Sequence, residues 1–246
     1  MQINLSRIIC RLDIKGEHLI KGINFEGLRK IGNPNEYAKK YSKYNIDEFF
    51  LYDAVASLYD RNQLFETIKE ISKNIFIPIC LSGGIRTLLD IERALKSGAD
   101  KIAFNSILFK NFSILSESCK NFGVSNIVVN IETKKNNSNF WEVYINGGRD
   151  RTGYELADWI KRLKDYHFGE IIISSIDYDG TLKGFDYELL EYITKNIKID
   201  FPLIFGGGCK DVEDIKKFRK KYKHISCFIG SAFHYNKISS NDLLKV

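Results

Sequence analysis

Short apolar runs alternate with segments of helical periodicity along almost the whole chain. Eight of these runs have the length and composition of buried β-strands. The predicted strands are Ile8–Leu12, Glu48–Tyr52, Ile77–Leu81, Lys101–Phe104, Asn126–Ile131, Glu170–Ile176, Leu203–Phe205 and Cys227–Ile229. The predicted helices lie near residues 35–45, 62–73, 87–97, 112–122, 153–165, 186–197, 211–222 and 239–245. Eight strand–helix units in a chain of this length predict an α/β protein, a single (β/α)8 TIM barrel domain over residues 1–246.

The two halves of the chain resemble each other in the residues that follow corresponding strands. Asp13 closes strand 1 and Glu132 closes strand 5, while glycine-rich segments follow strands 3 and 7. Extra residues with hairpin-like alternation follow strand 1 (14–32) and strand 5 (133–150). These landmarks recur after about 120 residues, which predicts that the barrel is built from two similar half-barrels.

Composition changes this picture little. The chain has 246 residues, 44% of them hydrophobic and 28% charged, with a formal net charge of +6. This apolar share suffices for a sizeable core and excludes wholesale disorder. The densest basic stretch, Lys216–Lys223, follows acidic residues from Asp211 onward, which is typical of one helix that complements its own dipole. Because the aromatic residues lie within apolar patterns, we expect no nucleic-acid partner.

The sequence contains no targeting or metal-binding signal. Its apolar runs stop short of the ~20 residues of a membrane span, and Met1–Arg7 lacks the basic-then-apolar order of a signal peptide. The five cysteines include no C-x-x-C pair, and the four histidines are not at ligand spacing. We therefore expect a cytoplasmic protein without membrane contact, metal or cofactor, whose cysteines are buried small hydrophobes. The cysteines are Cys10, Cys80, Cys119, Cys209 and Cys227.

Acidic residues at the predicted strand ends are the candidates for proton transfer, because catalytic groups of such barrels come from the carboxyl ends of strands. Asp13 and Glu132 would face each other across the barrel mouth and could divide proton donation and removal between them. The alternative is that each carboxylate only caps the loop that follows it. Asp53, Asp177 and Asp179 also end strands, and they are either hydroxyl ligands of a substrate or ordinary turn formers.

Two glycine-rich segments in opposite halves are candidate phosphate cradles. The first cradle consists of Ser82, Gly83, Gly84, Asn105 and Ser106. The second cradle consists of Gly206, Gly207, Gly208, Gly230 and Ser231. Glycines let backbone N–H groups wrap a phosphate, and a following helix N-terminus adds a favourable dipole. Unless both segments are simple tight turns, they predict a long substrate with a phosphate at each end.

Four motifs carry a resemblance to a known family. They are Arg7–Lys15, Lys21–Glu26, Asn146–Gly153 and Ser174–Thr181. The chain resembles, over nearly its whole length, the cyclase subunits of imidazole glycerol phosphate synthases. The resemblance implies a barrel that uses ammonia from a partner glutaminase docked at the N-terminal face. It also implies conversion of a bis-phosphorylated ribulosyl aminoimidazole carboxamide into imidazole glycerol phosphate and aminoimidazole carboxamide ribotide, in histidine biosynthesis.

The resemblance assigns roles to individual positions. Asp13 matches the first catalytic aspartate, and Lys21 matches a lysine of a mobile loop that closes over substrate. It extends the substrate site to Asp179 and Gly180. Four charged residues at strand starts match a gate through which ammonia enters the barrel. The implied gate residues are Arg7, Glu48, Lys101 and Glu170.

The sequence departs from the family pattern at a few positions. The second catalytic aspartate is replaced by Glu132, Ser82 stands where glycine is usual, and Gly206 stands where serine is usual. Two alternatives therefore remain open. One is an ammonia-channelling subunit for the amidination of surface sugars. The other is aminoimidazole carboxamide ribotide isomerase, against which Lys21 and the gate residues argue. No Cys-His-Glu amidotransferase pattern occurs, so the glutaminase would be a separate chain.

Overall fold

The computed structural model describes residues 6–54, 63–244 and 246 of the chain. The strands in these residues are β1 (Ile8–Lys15), β2 (His18–Ile23), β3 (Glu26–Gly32), β4 (Glu48–Asp53), β5 (Ile79–Ser82), β6 (Lys101–Phe104), β7 (Ile127–Lys135), β8 (Trp141–Ile145), β9 (Asp150–Glu155), β10 (Glu170–Ser175), β11 (Leu203–Gly206) and β12 (Ser226–Ile229). The α-helices in these residues are α1 (Pro34–Tyr41), α2 (Gln63–Ser72), α3 (Leu88–Lys96), α4 (Ile107–Lys110), α5 (Ser113–Phe122), α6 (Leu156–Leu163), α7 (Tyr187–Asn196), α8 (Val212–Lys221), α9 (Ser231–His234) and α10 (Ser240–Leu243).

Eight parallel strands of the described chain close into a barrel in the order β1, β4, β5, β6, β7, β10, β11, β12. The ring closes because β12 pairs in parallel with β1. Helices connect successive strands, so the predicted (β/α)8 barrel is confirmed. Since β7 is four strands from β1 in a ring of eight, their inward-facing residues stand on opposite walls.

Both halves contain the same sequence of elements. β1 continues into the antiparallel pair β2 and β3, and β7 continues into the antiparallel pair β8 and β9. The last barrel strand of each half, β6 or β12, is followed by a four-residue helix, α4 or α9. The hairpins agree with the alternation in residues 14–32 and 133–150, whereas the sequence did not predict the short helices.

Most predicted elements lie within a few residues of their observed bounds. The helix expected from residue 153 begins at Leu156 because the preceding residues form β9. Helix α3 has a capping box, in which Thr87 accepts a hydrogen bond from the Asp90 N–H and Asp90 bonds the Thr87 backbone in return. Residue 62 of the predicted α2 and residue 245 of the last helix lie outside the described residues.

The barrel interior is a distinct core, separate from the apolar layer between strands and helices. Because side chains alternate along a strand, every second residue points inward. The inner core contains Ile9, Phe50, Cys80, Ala103, Val128, Ile172, Ile204 and Phe228, with smaller contributions from the mouth. Polar and charged residues occupy both ends of this apolar layer. Strand periodicity therefore places Asp13 and Glu132 on the barrel axis, whereas Lys21 comes from β2 of the hairpin.

The remaining expectations concern cysteines and membranes. All five cysteines are free thiols, and four are buried while Cys119 is partly buried. Burial raises the pKa of the thiols, most strongly at Cys10, Cys80 and Cys209, which is the behaviour of small hydrophobic residues. In the described ranges no helix is long and apolar enough to cross a membrane.

Candidate active site

Asp13 lies inside the barrel mouth between two cations. Arg11 donates from Nε to Asp13 Oδ1 at 2.6 Å, and Lys21 donates from Nζ to Asp13 Oδ2 at 2.6 Å. Both cations are almost fully buried, with 2% of each side chain exposed. Burial raises the pKa of Asp13, but the charges of Arg11 and Lys21 outweigh it and lower the pKa to about 2. Asp13 is therefore an anion at neutral pH.

Glu132 lies on the opposite wall in a different environment. Its side chain is fully buried; Oε1 accepts from the Tyr52 hydroxyl at 2.5 Å, and Oε2 accepts from the Gly148 N–H at 2.9 Å. Burial raises the pKa of this carboxyl, and the hydrogen bond from Tyr52 opposes that effect without cancelling it. The two candidate carboxylates thus have pKa values displaced in opposite directions, which is the arrangement that divides acid and base roles.

The hairpin formed by β2 and β3 lies over the mouth and brings Lys21 inside. Lys21 also donates to Asp179, at 2.7 Å from Oδ2 and 3.1 Å from Oδ1. The turn of the hairpin is tied down by Asn24, whose backbone N–H and side-chain amide donate to carbonyls of residues 176, 177 and 179. Gly180 lies against this hairpin, where a Cβ would be 2.1 Å from the Gly22 carbonyl oxygen. The hairpin and the loop after β10 therefore close together.

The first cradle forms one side of a cavity of about 330 Å³ at the carboxyl ends of β4, β5 and β6. All five first-cradle residues line it, together with Arg86 and Lys110. Gly83 has φ +97° and its Cβ position lies 2.6 Å from the Asp53 carbonyl oxygen, so a side chain there is excluded. Two basic residues beside exposed backbone N–H groups give this cavity the character of an anion site.

The second cradle lines a much smaller cavity, of about 10 Å³, at the carboxyl ends of β11 and β12. Gly208 has φ +91°, and a Cβ there would lie 2.2 Å from the Gly184 carbonyl oxygen. Gly207 and Gly230 line the same cavity, as do Ser231 and Asp179. Gly206 is not among its lining residues, because its missing side chain makes room for the Phe228 ring. The two cradles therefore follow corresponding strands of the two half-barrels, but the cavity at the first cradle is much larger than the cavity at the second.

A third cavity lies between the two cradles and contains Asp13 on its wall. It shares Tyr52 and Gly147 with the first cavity and Asp179 with the second. Asp53 lines the first cavity. Asp177, by contrast, accepts the Lys135 N–H at 2.8 Å and thus fixes a loop. Asp13 therefore lies on a cavity that adjoins both cradle cavities, whereas the fully buried Glu132 is not among the lining residues of these three cavities.

Four charged residues form a closed ring at the other end of the barrel. Arg7 contacts Glu48 at 2.5 Å and Glu170 at 2.6 Å, and Lys101 contacts the same two carboxylates at 2.9 and 3.0 Å. Burial lowers the pKa of Lys101, but Glu48 outweighs it and raises the pKa. We call Arg7, Glu48, Lys101 and Glu170 the charged ring. Its alternating signs neutralise one another at the N-terminal entrance of the barrel.

Comparison with known proteins identifies the family of this chain. The family model described as "Histidine biosynthesis protein" matches residues 7–239. The chain belongs to this family. It is 45% identical over 208 residues, 85% of this chain and 97% of the relative, to the imidazole glycerol phosphate synthase subunit HisF of Legionella pneumophila. It is 41% identical over 233 residues, 95% of this chain and 92% of the relative, to the HisF subunit of a Hydrogenobaculum species.

A third relative of the same name, from Lactococcus lactis, is 39% identical over 238 residues, 96% of this chain and 91% of the relative. Membership of the histidine biosynthesis protein family confirms the resemblance that the four sequence motifs predicted. These matches extend across both half-barrels, so the family is shared by the whole barrel and is not limited to a single motif.

The sequence did not predict three partners of the candidate carboxylates in this histidine biosynthesis protein. Arg11 precedes Asp13 by two residues, so strand periodicity alone could have placed both side chains inside the barrel. Tyr52 and Gly148 bond Glu132 from β4 and from the loop after β8. Such long-range partners leave no local signal. In the described residues, no group of three or more His, Cys, Asp or Glu side chains is arranged to hold a metal ion.

Proposed function

We propose that the chain is the cyclase subunit of an imidazole glycerol phosphate synthase, acting in the cytoplasm on the histidine pathway. The observation that carries this proposal is the pair Asp13 and Glu132, two buried carboxyls on opposite walls of the barrel, with Asp13 on a cavity that shares residues with both cradle cavities. The relatives named as HisF subunits of this synthase support it. The substrate is the bis-phosphorylated ribulosyl aminoimidazole carboxamide, and the products are imidazole glycerol phosphate and aminoimidazole carboxamide ribotide.

The two carboxyls divide the proton transfers of ring closure. When ammonia adds to a carbonyl of the substrate, nitrogen must lose protons and oxygen must gain them before it leaves as water. Glu132 has a raised pKa and is the proton donor. Asp13 is ionised and accepts a proton or stabilises positive charge on nitrogen. Lys21 reaches Asp13 from the hairpin and excludes water while the hairpin is closed.

The cradles hold the two phosphates of the substrate. The first cradle binds the phosphate at the larger cavity, where Arg86 and Lys110 add positive charge. The second cradle binds the other phosphate beside Asp179 and Gly180. Anchoring both ends converts the attack of ammonia into a reaction between oriented groups.

Ammonia reaches the site through the barrel from a glutaminase subunit docked at the N-terminal face. The charged ring marks the entrance, and the inner core above it is apolar up to the layer of Arg11, directly below Asp13. The exposed Phe76, in the loop before β5, lies at this same end of the barrel and offers the partner an apolar contact.

The test is an assay of the purified chain with the bis-phosphorylated intermediate and excess ammonium salt. Turnover is measured as product formation, and Glu132→Asp is assayed in parallel. Turnover by the native chain supports the cyclase and shows that glutamate suffices at this position. Absence of turnover in the native chain, with recovery in Glu132→Asp, would contradict the proposal and indicate a cyclase scaffold used for another purpose.

Ser106→Asp tests the first cradle. The Ser106 hydroxyl accepts the Asn146 N–H at 2.9 Å and stands at the start of α4, and aspartate suits both positions. Its negative charge would repel a bound phosphate, so we expect KM to rise by about tenfold or more, with kcat changed less. Ser106→Asn is the matched neutral control. Equal KM values for the two variants would contradict phosphate binding at the first cradle.

Lys101→Ala tests the charged ring. Removing Lys101 leaves Glu48 and Glu170 with only Arg7 between them, which disturbs the entrance and not the mouth. We expect glutamine-dependent turnover with the glutaminase to fall several-fold more than ammonium-dependent turnover. The control is Lys216→Ala, a partly exposed lysine on helix α8 that pairs with Glu213 on the same helix. Equal losses in both assays would contradict a role in ammonia transfer.

A second candidate function is favoured by one observation, that both carboxyls already have partners in the protein. Asp13 binds Arg11 and Lys21, and Glu132 binds Tyr52 and Gly148. A barrel with its acids occupied suits a subunit that channels ammonia for the amidination of surface sugars. Such a subunit would support glutamine-dependent ammonia release but would not consume the bis-phosphorylated intermediate.

A further inference from the structure

Arg11 is buried on the barrel axis, one layer below the candidate catalytic carboxyl. Its guanidinium carbon lies 4.6 Å from the ring centre of Tyr52, 4.9 Å from Phe25, 5.4 Å from Phe228 and 5.8 Å from Phe50. We call these four rings the aromatic cage. They come from three separate parts of the fold: the hairpin after β1, strand β4 and strand β12. The cage therefore surrounds the cation on several sides.

The cage keeps the guanidinium charged and immobile. A buried cation requires compensation, and aromatic faces supply part of it through their quadrupoles. Burial lowers the pKa of Arg11, but Asp13 and Asp179 outweigh it, so the pKa is raised. Because Arg11 and Asp13 lie two residues apart on one strand, opening of the hairpin does not by itself separate their backbones.

The other cation on Asp13 is held differently. Lys21 comes from β2 of the hairpin that covers the mouth, and it divides its hydrogen bonds between Asp13 and Asp179. Opening of this hairpin would remove Lys21 from Asp13 and Phe25 from the cage, while the rings of β4 and β12 would stay around Arg11. One counter-ion of Asp13 is thus exchangeable, and the other is part of the barrel wall.

We propose that Arg11, fixed in its aromatic cage, is the permanent counter-ion of Asp13, a positioning residue that keeps this carboxyl ionised and oriented whether or not Lys21 is present. This inference rests on the proposed function for its kinetic consequence only. It assigns proton donation to Glu132, because Asp13 enters the cycle deprotonated.

The charged and titratable groups around Asp13 come from every neighbouring element. They are Arg11 on β1, Lys21 on β2, Tyr52 on β4, Glu132 on β7, Arg149 after β8, Asp179 after β10 and His234 on α9. Tyr52 is neutral because burial raises its pKa well above the usual value. Burial lowers the pKa of His234 to about 3, so it is neutral as well. Arg11 and Lys21 are thus the cations that contact Asp13 directly.

The experiment is a carboxyl titration by NMR on protein labelled with 13C-aspartate, with the Asp13 signal identified from Asp13→Asn. The native chain is expected to keep Asp13 ionised to the lowest pH at which it stays folded. In Arg11→Met, which fills the cage without charge, we expect the titration midpoint to rise by at least about one unit. Arg11→Lys, which retains the charge, should restore most of the shift. Arg11→Gln serves as the neutral variant if methionine prevents folding.

A midpoint unchanged in a folded neutral variant would overturn the proposal, as would an equal rise in Arg11→Lys and Arg11→Met. Lys21→Met is the matched comparison, and we expect it to raise the midpoint less than Arg11→Met does. Kinetics supply a separate readout, since the acid limb of ammonium-dependent kcat should move to higher pH in Arg11→Met. If no variant turns over the intermediate, the proposed function fails while the titration still decides the role of Arg11.

Discussion

Asp13→Asn is expected to reduce ammonium-dependent turnover by about three orders of magnitude or more, because the amide can neither accept a proton nor neutralise positive charge on nitrogen. The bis-phosphorylated substrate should still bind, since Asp13 lines neither of the two cradle cavities. Steady-state kinetics with ammonium salt and equilibrium binding of the intermediate measure the two effects separately. Retained turnover would contradict the role assigned to Asp13.

Asp13→Asn is also expected to lower the stability of the folded chain, and this loss must be measured together with turnover. Asparagine leaves Arg11 and Lys21 with one anion fewer in a buried site, although Lys21 keeps Asp179. Because the pKa of Asp13 lies below its ordinary value in the folded chain, this carboxyl stabilises the native chain above pH about 4, and that contribution is lost as pH falls toward its folded-state value of about 2. Asp177→Asn is the matched control, since Asp177 lies in the loop after β10 and its carboxylate accepts the Lys135 N–H. We expect it to retain turnover.

Strand positions and inward-facing residues were predictable from the sequence because both follow from short-range periodicity. Asp13, Glu132 and the charged ring all occupy positions that strand alternation points toward the axis. The two hairpins were visible as extra alternating segments. The sequence did not show that the hairpins lengthen the barrel strands. In the structure β1 and β7 continue beyond Asp13 and Glu132 into the hairpins.

The environment of each carboxyl was not predictable, because it depends on residues distant in the chain. Tyr52 reaches Glu132 from 80 positions away. The aromatic cage joins Phe25 to Phe228 through the closure of the barrel. Sequence spacing shows that two acids face each other, but only the closed barrel shows that one is held by cations and the other by neutral donors. That difference decides their pKa values.

Glu132→Gln is expected to lower ammonium-dependent turnover by about 10²- to 10⁴-fold, because the amide N–H is not acidic enough to protonate the departing oxygen. The side chain is nearly isosteric and its oxygen can still accept from Tyr52, so the chain should fold. Its NH2 group would then face the Gly148 N–H, which accounts for a modest loss of stability. Kinetics and denaturant unfolding separate these two effects.

The pH profile identifies Glu132 more sharply than the loss of rate. Its pKa is raised by burial, so native turnover should fall as pH increases through that value, and this alkaline limb should be absent from the residual activity of Glu132→Gln. Tyr52→Phe is the companion variant. The hydrogen bond from Tyr52 lowers the pKa of Glu132, so its removal should move the alkaline limb to higher pH while turnover persists. A limb that stays in place in both variants would assign proton donation to another group.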